Sequence, residues 1–105
     1  MSSAKNYKKQ NRMANLRSIK KEIDYRLEEL VFDCDMAIYF HPSKEKEIFD
    51  LMEKGVELRN RLFVKVNNPA EPKNAKLVRK HYVALNNEIV DSFDKLFQEL
   101  SALNK

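Results

Sequence analysis

The residues of this chain with the widest chemical range are Cys34, His41, His81 and a group of carboxylates around the first third of the sequence. Cys34 and His41 are seven residues apart, which is two turns along one helical face, with Asp33 and Asp35 beside them. A thiolate and an imidazole on one face are the elements of a metal site or a nucleophile–base pair. Here that face is the apolar one, so the spacing favours a packed thiol and a helix-capping imidazole over ligands. His81 falls near the far end of another helix and is not expected to share an ion with His41. No Glu-x-x-His pair is present, which removes the carboxylate-bundle di-metal pattern. Asp33, Asp35, Glu45, Glu47 and Asp50 gather around one turn and read as solvated caps. There is no glycine-rich phosphate loop and no recognisable nucleophile motif. The expectation is a protein without catalytic residues, metal or cofactor.

Two other features point to binding. The first is a segregation of charge. Residues 1–21 hold seven Lys or Arg and no acid; residues 54–81 hold eight against Glu57 and Glu71 alone. These stretches carry +7 and +6, and the rest of the chain carries −9, giving the net +4. Lys8, Lys9, Arg12 and Arg17 crowd the start of one helix, and Lys73, Lys76, Arg79 and Lys80 the start of another. Cations there oppose the helix dipole, at about 0.3–1 kcal/mol each, whereas Arg59, Arg61 and Lys65 near a helix C-terminus complement it. Basic side chains combined with helix N-termini suit an anion, so these eight residues are candidates for a nucleic-acid contact. A groove-reading motif, an aromatic RNA-binding sheet and zinc-finger spacing are all lacking, so such contact would be mainly electrostatic.

The second feature is an additional apolar stripe. At 100° per residue, Tyr25, Phe32, Met36 and Tyr39 fall together, with Phe40 beside them, roughly opposite the core stripe of their helix. A monomeric bundle leaves that side to water, and contiguous exposed apolar patches mark interfaces. These five residues are expected to contact a second copy of the chain or another helical protein. Phe49, Val56 and Phe63, and Val83, Val90 and Phe97, also recur at seven-residue spacing. They have a simpler reading, since each helix of a bundle touches two neighbours and needs a wide apolar face.

The elements that must position these residues follow from the punctuation. One Gly and three Pro in 105 residues is a helical composition, not that of a sandwich or barrel. At 43% apolar and 34% charged, the chain is too hydrophobic for disorder and too polar for a membrane; its longest uninterrupted apolar run is only Met36 to Phe40. His41-Pro42-Ser43 is one break, with Ser43 expected as the next N-cap. Residues 67–72 are the other, where Asn67 or Asn68 stops a helix and Pro72 suits the first turn of the next.

The expected fold is all-α, an antiparallel up-down-up three-helix bundle with helices over about 8–40, 44–66 and 73–103. It forms one domain over 1–105, with residues 1–9 a basic arm that need not be ordered. The expected core is Leu16, Ile23, Leu27, Leu30, Ile48, Leu51, Leu58, Leu62, Leu85, Ile89, Leu96 and Leu100, set by alternating three- and four-residue spacing. Gly55 lies in that seam and implies a close approach. A lone cysteine and no apolar leader fit the reducing cytoplasm.

Overall fold

A computed structural model describes residues 15–69 and 71–104. Three helices, α1 (Asn15–Phe40), α2 (Glu45–Asn67) and α3 (Ala75–Leu103), pack on one another, with a short 3-10 turn (Pro42–Lys44) between α1 and α2. No strand occurs among the described residues. The fold is the all-α three-helix bundle that the spacing predicts. The expected start of α1 near residue 8 and the basic arm 1–9 lie outside the described residues.

Both breaks form where the prolines require them, with different caps from those expected. Pro42 keeps His41 out of the helical region (φ −136°, ψ 66°), which ends α1. Ser43 is not the N-cap of α2. It sits inside the 3-10 turn, and α2 starts one residue later behind Lys44, whose side chain makes no capping bond. The dipole there is met by Glu45 and Glu47 in the first turn. His41 caps α1 through its backbone N–H, which donates to the Ala37 carbonyl at 2.8 Å; a capping role for its imidazole is not seen. Asn68 ends α2 as expected, its Nδ2 donating to the Val64 carbonyl at 2.7 Å. Pro72 lies before α3, not in its first turn. The helix begins at Ala75, and the Asn74 side chain accepts the Leu77 N–H at 3.1 Å.

The antiparallel register can be read from side-chain pairs. Lys65 bonds Glu88 and Lys54 bonds Glu99, so eleven residues forward on α2 correspond to eleven residues back on α3. Arg59 meets Asp24 at 2.9 Å and fixes α2 against α1. All these pairs are partly exposed and contribute roughly 0–1 kcal/mol each. They select register; burial supplies the stability.

The core comprises Ile23, Leu30, Cys34 and Ala37 of α1, Ile48, Leu51, Leu58, Leu62 and Val66 of α2, and Leu85, Ile89, Phe93, Leu96 and Leu100 of α3. Leu27 packs against it half-buried. Leu16 is the exception among the expected core residues, at 46% exposed. The α1–α2 register set by Asp24 and Arg59 brings Leu16 level with Asn67, the last residue of α2, so α2 gives it no further turn to pack against. Gly55 is buried where the three helices meet. A Cβ added there would lie 2.8 Å from Leu30 Cδ2, 3.1 Å from Leu27 Cδ1 and 4.0 Å from Leu96 Cδ1.

Candidate docking face on helix α1

The α1 sequence makes two apolar stripes because two sets of residues, each spaced by three, four or seven, share one helix. One set enters the core. The other stays in solvent: Tyr25, Phe32, Met36, Tyr39 and Phe40 are exposed, from 44% at Met36 to 77% at Tyr39. Tyr39 and Phe40 meet edge to face, ring centroids 5.2 Å apart, closing the C-terminal end of the stripe. An exposed aromatic side chain presents about 150–250 Å², so the five residues leave on the order of 600 Å² open. That is the upper end of what a monomer carries and most of the roughly 800 Å² each partner gives to a standard interface.

The stripe borders the α1–α3 groove. Asp33 and Met36 of α1 and Phe97, Leu100, Ser101 and Asn104 of α3 line an open concavity of about 290 Å³. Phe97 packs half-buried against the core, continuing the α3 line of Val83 and Val90. The spacing predicts ordinary inter-helix packing for that line and for Phe49–Val56–Phe63. The structure separates the members. Phe63, Val90 and Phe97 are partly covered, whereas Phe49, Val56 and Val83 are exposed. Phe63 is covered by cations: the Arg59 guanidinium carbon stands 3.9 Å from its ring centroid and Lys20 Nζ 5.7 Å. Arg59 lies one turn before Phe63 on α2, a pairing that spacing gives; Lys20 comes from α1, which spacing alone does not assign.

Cys34 is fully buried on the core side of α1. Burial pushes its thiol up to about 11, aided by the carboxylates of Asp33 and Asp35. It is therefore a neutral thiol at physiological pH and a poor nucleophile. His41 lies at the end of the helix, half-buried. No group of three or more His, Cys, Asp or Glu among the described residues is arranged to hold a metal ion.

At the other end of the bundle, His81 Nε2–H donates to the Lys65 carbonyl at 2.9 Å, and the Tyr82 hydroxyl donates to the Val66 carbonyl at 2.8 Å. These two side chains satisfy carbonyls in the last turn of α2 and bind the start of α3 to it. Burial raises the Tyr82 phenol above its ordinary value. The same end holds the first turns of α1 and α3. Arg17, Lys73, Lys76, Arg79 and Lys80 are exposed there, while Arg59 and Lys65 are occupied by Asp24 and Glu88. The other basic candidates, Lys8, Lys9 and Arg12, lie outside the described residues.

The chain matches no family model, no curated protein and no solved structure. Its own surface is therefore what bears on function. No described helix is long and apolar enough to cross a membrane.

Proposed function

We propose that this chain is an interaction protein that works by binding, and that the outer face of α1 is where it docks a second copy of itself or another helical protein. One observation carries the reading. Tyr25, Phe32, Met36, Tyr39 and Phe40 are all solvent-exposed on one side of a helix whose other side already fills the core. Single exposed apolar residues need no explanation, but five on one face do. The carboxylates and the buried thiol supply no competing chemistry.

Phe32→Glu combined with Met36→Glu tests the reading. The substituted protein keeps its helical circular dichroism, because neither side chain supports the core. Its apparent mass by light scattering drops to that of a monomer, or it loses a co-purifying helical partner. An unchanged mass together with unchanged partner recovery would remove α1 from the interface.

A second reading is a nucleic-acid-binding accessory role for the basic end. It is supported by the exposure of Arg17, Lys73, Lys76, Arg79 and Lys80 at one pole, beside the first turn of α3. Contacts of this kind go mainly to phosphates, so affinity depends weakly on sequence and falls steeply with salt. Replacing Lys73, Lys76 and Lys80 by Ala weakens binding to all sequences alike and flattens the salt slope by up to about 2.7 in a gel-shift titration, at roughly 0.7–0.9 per phosphate contact. Absence of any shift at tens of micromolar protein, about the non-specific range, discards this reading.

A further inference from the structure

The apolar stripe of α1 is studded with acids. Glu28 and Glu29 fill the gap between Tyr25 and Phe32, and Asp33 and Asp35 lie between Phe32 and Tyr39. Residues 22–35 carry six carboxylates against Arg26 alone, a net −5. Glu22 is taken by Arg26 and Asp24 by Arg59. Glu28, Glu29, Asp33 and Asp35 form no ion pair among the described residues. Across the groove, Asp94 is exposed on α3, one helical turn from both Val90 and Phe97. The charge of α1 changes sign between Lys21 and Glu22, so the acidic apolar stretch runs from Glu22 to Phe40, about 27 Å at 1.5 Å per residue.

A second copy is a poor occupant for this surface. The apolar weight lies between Phe32 and Phe40, and residues 27–43 hold no Lys or Arg, so a two-fold pairing that buries this stretch on itself gathers the Asp33 and Asp35 carboxylates of both copies with no cation opposite them. Shifting the pairing to bring Arg17 and Lys21 opposite the acids moves the aromatic residues off each other and onto the polar surface around Ser18. Pairing α1 on α1 therefore does not meet the apolar match and the charge match together. Both are met by a helix with an apolar seam and cationic flanks, and like charge across an interface is what excludes wrong partners.

Resting on the docking role of α1 proposed above, we infer that the acidic apolar face of residues 22–40, together with the α1–α3 groove at Met36 and Phe97, is a receptor for a cationic amphipathic helix of a different protein. The partner helix needs about 18 residues to span the face. Its apolar side chains seat between Tyr25, Phe32, Met36 and Phe40, and its Lys or Arg residues reach Glu28, Glu29, Asp33 and Asp94.

Three synthetic peptides of about three heptads test this by calorimetric titration into the full chain. One carries Leu at the two seam positions of each heptad with Lys around them. The second replaces each Lys by Glu, and the third keeps Lys but replaces each Leu by Ser. The first binds at least tenfold tighter than either of the others. Phe32→Ala with Met36→Ala weakens it at least tenfold, and Glu28→Lys with Glu29→Lys reverses the preference in favour of the Glu peptide. Circular dichroism checks that each variant keeps its helices. Equal binding of the Lys and Glu peptides overturns the charge assignment while leaving the α1 interface intact. Equal binding with and without Leu reduces the site to charge attraction and overturns the proposal. A stable dimer that Phe32→Ala with Met36→Ala dissociates assigns the face to a second copy. If no peptide binds and the chain is monomeric with no partner dependent on Phe32, the α1 docking role falls as well.

Discussion

Phe93→Ala lowers the unfolding free energy by about 3–5 kcal/mol, the range for emptying an aromatic site in a packed core. Phe93 is fully buried near the middle of α3, and it is the largest of the fully buried side chains. Ring removal forfeits its transfer free energy and leaves a cavity that the surrounding core closes only in part. Leu58→Ala, on the facing side of α2 and 4% exposed, lowers stability by about 2–5 kcal/mol on the same grounds. For a chain whose total stability is on the order of 5–15 kcal/mol, the Phe93 change removes a large share. Urea titrations followed by circular dichroism read both effects. A loss under about 1 kcal/mol at Phe93, far below the aromatic-to-Ala range, would show that α3 does not pack as described.

Gly55→Leu destabilises by about 3 kcal/mol, because it overfills a point where the three helices already meet closely. Gly55→Ala changes stability little. Removing glycine from a helix interior gains about 1 kcal/mol, and the new Cβ meets Leu30 Cδ2 at 2.8 Å, which Leu30 has to yield to. That atom is the end of a flexible side chain, so a small displacement suffices for a methyl group. It does not suffice for an isobutyl group directed between Leu27, Leu30 and Leu96. Leu30→Ala in the Gly55→Leu background restores part of the loss, a coupling of about 0.5–3 kcal/mol between touching residues. Strict additivity of the two substitutions would show that the close approach of α1 to α2 at Gly55 is wrong.

These two sites are legible in the sequence to different degrees. Gly55 stands in an unbroken three-four alternation from Ile48 to Leu62, and that spacing alone marks a close approach. The alternation does not say which side chains close in. Leu27 and Leu30 from one neighbour and Leu96 from the other are products of register. Phe93 belongs to an equally regular line on α3, but its complete burial depends on both neighbours reaching it. The candidate face behaves in the same way. Helical period alone groups Tyr25, Phe32, Met36 and Tyr39 and sets them against the core stripe. It does not connect Met36 to Phe97 across a groove, or bring Lys20 of α1 to Phe63.

The sequence by itself determines the three helices, their two breaks and most of the core. These depend on local chemistry: proline lacks an N–H, asparagine at a helix end bonds nearby backbone, and a 3.6-residue period keeps one stripe on one side. It also determines the segregation of charge along the chain, which no fold can alter. The tertiary structure decides what depends on where a neighbour begins and ends. Leu16 continues the core stripe of α1 yet remains exposed, at the level where α2 stops at Asn67. Phe49 and Val56 repeat with Phe63 yet remain exposed, whereas Phe63 packs against the core and lies under Arg59 of its own helix and Lys20 of α1. Periodicity specifies which side of a helix is apolar; burial requires a second surface at the same height, and only the assembled bundle fixes that.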